Sequence, residues 1–315
     1  MRLAVVGVGA VGRSVVELAG SYGYEITAIA DSSGAVVDPD GVDVRRTLTE
    51  KAETGTVGTD DPADALETEY DVLIEATPTT LGDAQPGFDH LRTALERDRH
   101  VVLANKGPVA ERYADLRALE RDSEGSVRFD AAVGGAIPIL PTIRDIGPER
   151  VSAVRGVLNG TANFVLSRMA AEGLAYDHVL AEAQDLGVAE ADPSFDVEGT
   201  DAALKCIILA NVLSGGEREF SLSDATVEGI RELPGSALEL AAEDGRTVRL
   251  IGEATRGSVR VGPRLVPEHD PLAVTGTLNV AQIDAENAGR LSLSGRGAGG
   301  PETATAVLAD VGRLR

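Results

Sequence analysis

The sequence has few of the residues that form covalent links or metal sites. Its 315 residues include no tryptophan, one cysteine (Cys206) and only three lysines (Lys51, Lys106 and Lys205). A single cysteine cannot form an intramolecular disulfide bond, which is typical of a protein from a reducing compartment. The four histidines are scattered along the chain, so their spacing predicts no zinc site.

Long apolar runs and basic clusters are also absent. The longest apolar stretch, residues 202–213, contains Lys205 and falls short of the ~20 residues that a membrane span needs. The first strand pattern starts directly after Met1, which leaves no room for a secretory leader. With 51 acidic and 29 basic residues, the net charge of −22 opposes nucleic-acid binding. We therefore expect a cytoplasmic protein that binds neither membranes nor nucleic acids. The scarcity of lysine together with the acid excess leads to the hypothesis that the protein is adapted to high salt.

The hydrophobic pattern predicts an α/β protein with two domains. In residues 1–133, apolar strands alternate with amphipathic helices, which is typical of a Rossmann-type, doubly wound parallel sheet. We expect its strands at residues 3–8, 25–30, 71–76, 100–104 and 127–133. Residues 134–296 predict a second, α+β domain, with helices in residues 162–186 and 200–213 and strands at 151–158, 247–254 and 258–266. A last helix, at residues 302–314, follows a glycine-rich turn, so residues 297–315 are expected to return to the first domain.

A glycine pattern follows the first predicted strand. Gly7, Gly9 and Gly12 enclose Val8, Ala10 and Val11, and the six residues lead from the strand into a helix. In this context the first glycine permits a tight turn, the second lets a pyrophosphate approach the backbone, and the third lets helix and strand pack closely. We therefore predict a dinucleotide site that includes Ala10 and Val11.

The sequence leaves the choice between NAD and NADP open. Asp31 closes the second strand 19 positions after Gly12 (31 minus 12), which favours the free ribose hydroxyl of NAD. Arg45 and Arg46 would suit the 2′-phosphate of NADP, although they are equally well explained as surface charges. After the strand at 71–76, Thr77 and Thr79 are candidates to line the nicotinamide, although an ordinary proline turn explains them almost as well.

Two of the three lysines have neighbours that indicate chemistry. On a helix, Asp201 and Lys205 are four residues apart and share a face, and the apolar residues that follow indicate a buried helix. Lys106 follows a predicted strand of the dinucleotide domain, beside the expected nicotinamide pocket. When hydride adds to an aldehyde, an ammonium can stabilise the growing negative charge on oxygen and then protonate it. A surface ion pair and a solvated loop lysine are the alternative interpretations.

Four stretches of the sequence resemble the homoserine dehydrogenase family. The longest, residues 183–205, reads AQDLGVAEADPSFDVEGTDAALK and matches at essentially every constrained position. The others read ANKGP at 104–108, GVLNGTANF at 156–164 and GAGGPETA at 297–304. The resemblance therefore extends over the whole chain, and because the chain ends at Arg315 it implies a short form without a C-terminal regulatory domain.

The resemblance implies an activity and a set of site residues. The activity would be the NAD- or NADP-dependent interconversion of aspartate 4-semialdehyde and homoserine, in the pathway to threonine, methionine and isoleucine. Lys106 and Lys205 would relay a proton and orient the substrate, with Asp201 holding Lys205. Substrate contacts would come from Gly160, Thr161, Glu190 and Asp196. Lys106 and Gly300 would also contact the cofactor.

The resemblance further implies a homodimer formed by the second domain, and a monovalent cation such as Na⁺. The cation would be held by Asp130 and by the carbonyl groups of Val133, Gly135 and Ile137. Two other functions compete with this interpretation. An aspartate semialdehyde dehydrogenase needs a nucleophilic cysteine, whereas Cys206 lies in an apolar helical run. A dinucleotide-binding sensor would have no need of Lys106 or Lys205.

Overall fold

The computed structural model describes residues 1–314, and the predicted α/β architecture is confirmed. The chain divides into two compact units, residues 1–136 together with the segment that begins at Ala298, and residues 137–297. Arg315, which ends the segment predicted to return to the first domain, lies outside the described residues.

The strands and helices follow in chain order. The strands are β1 Arg2–Val6, β2 Glu25–Asp31, β3 Gly34–Val37, β4 Val72–Glu75, β5 His100–Leu103, β6 Val127–Arg128, β7 Val151–Val157, β8 Ala225–Val227, β9 Arg246–Thr255, β10 Val259–Pro267, β11 Leu278–Ala285 and β12 Gly289–Arg296. The helices are α1 Ala10–Ala19, α2 Val44–Thr54, α3 Asp64–Glu67, α4 Gly87–Glu96, α5 Gly107–Glu111, α6 Tyr113–Arg121, α7 Asp130–Gly134, α8 Ile139–Ile146, α9 Gly160–Glu172, α10 Tyr176–Asp185, α11 Ser194–Val197, α12 Thr200–Ser214, α13 Gly235–Glu243 and α14 Gly300–Gly312. Among residues 1–314, none of these helices is long and apolar enough to cross a membrane.

The sheet of the first unit has the order β3-β2-β1-β4-β5-β6. Within the part of this sheet that runs β2-β1-β4-β5-β6, all neighbouring strands are parallel, so the predicted parallel sheet is confirmed. Val5 of β1 lies between Ile29 of β2 and Ile74 of β4, and all three side chains are buried. Apolar residues on neighbouring parallel strands thus form the core beneath the expected ligand edge.

Two strands of the first unit differ from the prediction. β3 was not predicted, and it pairs with β2 as an antiparallel edge strand. The strand expected at residues 127–133 is wrong beyond Arg128, because residues 130–134 form the short helix α7. An apolar run of this length suits a strand or a buried helix equally, and periodicity does not separate the two.

The last helix, α14, packs against α1 in the first unit. A Cβ atom at Gly300 would lie 2.7 Å from the carbonyl oxygen of Ala10, so only glycine permits this approach. Further along α14, Val307 and Val311 join the core that contains Val15 of α1. The first sheet is therefore covered in part by residues from the far end of the chain.

The second unit has a six-stranded sheet in the order β12-β11-β7-β9-β10-β8. Its neighbouring strands are antiparallel, except that β10 and β8 are parallel. The prediction did not include β8, β11 and β12. Helix α12 is buried along most of its length, and a Cβ atom at Gly252 of β9 would lie 2.5 Å from Sγ of Cys206. This close approach packs α12 directly against β9 in the interior of the unit.

Candidate active site

The turn after β1 has the shape that a dinucleotide requires. Gly7 has a φ of +97°, and a Cβ atom there would lie 2.5 Å from the backbone of Ala76. At Gly12 a Cβ atom would lie 1.8 Å from the carbonyl oxygen of Gly7, so helix and strand touch at this point. Gly9 is exposed, with open space beside it, at the N-terminus of α1. The first amides of a helix have no acceptor within the helix, so this exposed end suits a pyrophosphate.

Asp31, at the end of β2, is held by a lysine. Its carboxylate accepts hydrogen bonds from the amide and the hydroxyl of Ser33, at 2.8 and 2.5 Å, and from Nζ of Lys51. Burial alone would raise the pKa of Asp31, but the bonds from Lys51 and Ser33 outweigh it, and the pKa is lower than usual. The predicted alternative cations, Arg45 and Arg46, lie exposed in the first turn of α2. Sequence reasoning missed Lys51 because it did not predict α2.

A chain of hydrogen bonds links the ends of β4 and β5. Oε1 of Glu75 accepts from the amide of Thr77, at 3.3 Å, and from its hydroxyl. The Thr77 hydroxyl accepts from Nδ2 of Asn105 at 3.1 Å, and Oδ1 of Asn105 accepts from the amide of Gly107 at 2.9 Å. The amide of Lys106 lies 3.4 Å from Oγ1 of Thr79. The structure therefore brings the predicted Thr77, Thr79 and Lys106 together, and Glu75 was not predicted.

In the second unit, Lys205 and Asp201 form a buried ion pair on α12. Lys205 is 5% exposed and Asp201 is 7% exposed. The ammonium donates to Oδ2 of Asp201 at 2.8 Å and to the carbonyl oxygen of Leu158 at 2.7 Å. The i, i+4 relation predicted from the sequence is therefore present, and a strand end supplies a second acceptor.

Asn159 connects this ion pair to Asp196. Its Nδ2 donates to Asp196 at 2.6 Å and to Asp201 at 3.0 Å, while its Oδ1 accepts from the amide of Ala162 and caps α9. Asn159 was not predicted as a site residue, although an asparagine directly before a helix is a recognisable capping signal. One side chain thus fixes two carboxylates and the start of a helix.

The remaining predicted substrate residues lie at the start of α9 and in a loop. Gly160 begins α9, and a Cβ atom there would lie 2.8 Å from the carbonyl oxygen of Thr277. The hydroxyl of Thr161 donates to the carbonyl oxygen of Val188 at 3.1 Å. Glu190, two residues after Val188, is exposed. The structure thus joins the start of α9 to the loop that carries Glu190.

The predicted cation ligands include a buried carboxylate. Asp130 begins α7 and is 3% exposed, and its amide donates to Asp310 at 2.9 Å. Val133 belongs to α7, Gly135 follows it, and Ile137 begins the second compact unit. In the described part of the chain, no three His, Cys, Asp or Glu residues cluster as metal ligands. Since the predicted site depends on carbonyl oxygens, it remains a prediction.

Two family models match the chain. The model for homoserine dehydrogenase matches residues 138–311, and the model for glutamate, leucine, phenylalanine and valine dehydrogenase matches residues 1–79. The first match covers more than half of the chain.

The relatives and a solved structure are similar over nearly the full length. The homoserine dehydrogenase of Methanocaldococcus jannaschii is 38% identical over 99% of this chain and 97% of its own. The NAD⁺-dependent homoserine dehydrogenase of Pseudomonas canavaninivorans is 34% identical over 98% of this chain and 95% of its own. The crystal structure of a putative homoserine dehydrogenase from Archaeoglobus fulgidus is 40% identical, with a TM-score of 0.91 over 99% of this chain and 98% of that one.

Proposed function

The chain belongs to the homoserine dehydrogenase family and is a nicotinamide-dependent oxidoreductase, and we propose that it interconverts aspartate 4-semialdehyde and homoserine through Lys106 and Lys205. The buried ion pair of Asp201 and Lys205 carries this proposal. A buried ammonium beside a carboxylate is costly to keep, and removing either partner alone would leave a buried charge. Such a pair is therefore better explained by chemistry than by stability.

Lys205 has a donor to spare for the substrate. An ammonium has three donors, and among residues 1–314 two of them bind Leu158 and Asp201. The third hydrogen is available to the aldehyde oxygen, where it stabilises the negative charge that develops during reduction. When bound, the nicotinamide cofactor supplies the hydride. Lys106 then protonates the oxygen to give the hydroxyl group of homoserine.

The carboxylate and the ammonium group of the proposed substrate suit the other predicted site residues. The first amides of α9, at Gly160 and Thr161, suit the substrate carboxylate, because a helix N-terminus favours an anion. The carboxylates of Glu190 and Asp196 suit the substrate ammonium. We propose these contacts because helix α9 and Asp196 are both fixed by Asn159.

Nicotinamide absorbance in the presence of homoserine tests the proposal. We expect the wild-type protein to reduce NAD⁺ or NADP⁺, and we expect Lys205→Ala and Lys106→Ala each to lower kcat by about 100-fold or more, as loss of a charge-stabilising donor does. Fluorescence of bound reduced cofactor is the control, because Lys205→Ala should bind it unchanged and Lys106→Ala, which loses one expected cofactor contact, should still bind it. Cofactor binding without turnover in the wild-type protein would favour the sensor instead, and full activity in Lys205→Ala would remove the proposed mechanism.

Cys206 argues against the thioester chemistry of an aspartate semialdehyde dehydrogenase. Its side chain is completely buried in α12, and this burial raises its pKa to about 12. A catalytic cysteine needs a thiolate that the substrate can reach. We expect Cys206→Ala to retain turnover with homoserine. A Cys206→Ala variant that folds but has no activity would favour the aspartate semialdehyde dehydrogenase.

For the cofactor, we propose that the enzyme accepts both NADH and NADPH. The Asp31 carboxylate suits the ribose hydroxyls of NAD, while Lys51 beside it offers a cation to the 2′-phosphate of NADP. We expect Lys51→Ala to raise KM for NADPH about tenfold, which is the loss of one charged hydrogen bond, and to leave KM for NADH within about twofold. Arg45→Ala is the matched control on the same helix. If Arg45→Ala changes the ratio of KM for NADPH to KM for NADH and Lys51→Ala does not, the 2′-phosphate is bound by the arginine instead.

We also propose a monovalent cation at Asp130, Val133, Gly135 and Ile137, since carboxylate and carbonyl oxygens suit hard cations. Those ligands would hold Na⁺ in a structural role. The check is thermal stability in NaCl against an equal concentration of a large organic cation, in the wild-type protein and in Asp130→Asn. Equal salt responses in the two proteins would contradict the site.

We further propose a homodimer that works in the cytoplasm at high salt. Salt screens the mutual repulsion of acidic groups, and the Debye length falls to about 3 Å at 1 M. The melting temperature should therefore rise steadily with KCl in a chain of net charge −22. Light scattering measures the mass of the assembly, and a flat melting curve or a monomer mass would contradict the respective proposal.

A further inference from the structure

Glu75 is a charged residue at a position where a strand of the core would ordinarily carry an apolar one. It ends β4, whose preceding residues Val72, Leu73 and Ile74 are all buried, and its own side chain is 0% exposed. Burying a carboxylate is unfavourable unless hydrogen bonds compensate for the lost water. Packing alone gives no reason for a glutamate here.

The carboxylate fixes the direction of every hydrogen bond that follows it. Oε1 of Glu75 accepts from the amide and from the hydroxyl of Thr77, so the hydroxyl proton of Thr77 points toward Glu75. The oxygen of that hydroxyl then accepts from Nδ2 of Asn105, which turns Oδ1 of Asn105 toward the amide of Gly107. The carboxyl group at the end of β4 therefore sets the orientation of a side chain after β5.

Lys106 lies between the two residues that this chain of bonds fixes. Asn105 is held through its side chain and Gly107 through its backbone, and the amide of Lys106 itself lies 3.4 Å from Oγ1 of Thr79. The backbone also has little space to relax, because a Cβ atom at Gly107 would lie 2.4 Å from the carbonyl oxygen of Thr80. On the other side of Asn105, a Cβ atom at Gly87 would lie 2.6 Å from Nδ2.

We infer that Glu75 is a positioning residue, which holds the amine of Lys106 in its working place through Thr77 and Asn105. The inference rests on the role proposed for Lys106. Glu75 itself touches neither substrate nor cofactor, since its carboxylate is closed off from solvent. Its contribution is the geometry of a three-residue segment at the carboxyl end of β5.

Because the chain has only three lysines, the environment of Lys106 can be measured directly. Protein labelled with ¹³C at the ε carbon of lysine should show three signals, from Lys51, Lys106 and Lys205, and a Lys106→Arg variant assigns the second. In Glu75→Leu, which has no acceptor, and in Thr77→Val we expect the Lys106 signal to move and the other two to stay. We expect kcat to fall about 10- to 100-fold, since small misplacements near reacting atoms have effects of that size, while KM for homoserine stays within about twofold.

Two further variants test whether the effect on Lys106 depends on the hydroxyl group of Thr77. Thr77→Ser keeps the hydroxyl and should restore both kcat and the Lys106 signal. Thr80→Val is the matched control, because its hydroxyl binds the carbonyl oxygen of Gln85 outside this chain of bonds. Thr77→Val keeps the shape of threonine, so it carries the test if Glu75→Leu fails to fold.

The results separate failure of this inference from failure of the proposed function. Normal kcat and an unmoved Lys106 signal in Thr77→Val, together with a defective Lys106→Ala, would overturn the positioning role alone. Movement of all three lysine signals would also overturn it, since the change would then be general. A fully active Lys106→Ala would remove the catalytic role of Lys106 and this inference with it.

Discussion

Removing Asp201 should destabilise the second unit far more than removing the whole ion pair. In Asp201→Ala the ammonium of Lys205, which is 5% exposed, keeps the carbonyl oxygen of Leu158 but loses its counter-charge. Breaking a buried pair on one side costs about 3–5 kcal/mol, because the remaining charge is uncompensated. Nδ2 of Asn159 loses one acceptor as well, although it retains Asp196. We therefore expect a loss near the upper end of that range.

Urea unfolding followed by circular dichroism measures this loss. The informative comparison is the double variant Asp201→Asn with Lys205→Met, which is neutral and has nearly the same volume. We expect it to recover most of the stability lost in Asp201→Ala, since both charges are gone, and yet to remain inactive with homoserine. If Asp201→Ala unfolds at the wild-type urea concentration, the pair is not buried in solution. If the double variant turns over homoserine normally, the pair has no part in the chemistry.

Three further outcomes follow from single positions. Because burial raises the pKa of Cys206 to about 12, a thiol reagent at pH 8 should modify it only after urea is added, and rapid labelling of the native protein would contradict this. Burial and the nearby Arg128 lower the pKa of His100 below its usual value of 6.5. As the pH drops from 6.5 toward the folded pKa, His100 is protonated in the unfolded chain before it is protonated in the folded chain, so the free energy of unfolding should fall. His100→Asn should reduce this dependence on pH. A Cβ atom at Gly12 would lie 1.8 Å from the carbonyl oxygen of Gly7, so Gly12→Ala should abolish cofactor binding measured by fluorescence, whereas Gly20→Ala, with open space around it, should not.

The sequence predicted the central strands of the first sheet because most of their residues are apolar. β1, β2, β4 and β5 are each buried between helices, and such strands stand out from their surroundings. The edge strand β12 was missed because its residues alternate between exposed and half-buried positions and include serine and arginine. Edge strands depend on their neighbours rather than on their own composition.

The candidate site was predictable where the spacing along one helix defines a contact. Asp201 and Lys205 are four residues apart on α12, and the ion pair is present. Contacts between distant segments were not predictable in the same way. Lys51 reaches Asp31 from a helix that the sequence did not indicate, and Glu75 looks in the sequence like the polar end of a strand. Only the fold shows that its carboxylate faces Thr77.

The position of α14 in the first unit has a consequence for protein synthesis. Val307 and Val311 of α14 share a core with Val15 of α1, so the unit that begins with residue 1 lacks part of its interior until residue 312 has been made. Domains generally fold during synthesis as they emerge, starting from the N-terminal end, but here the first unit must wait for the last helix. A chain that is released before residue 312 therefore lacks a complete cofactor domain, and nicotinamide binding reports that translation has passed this residue.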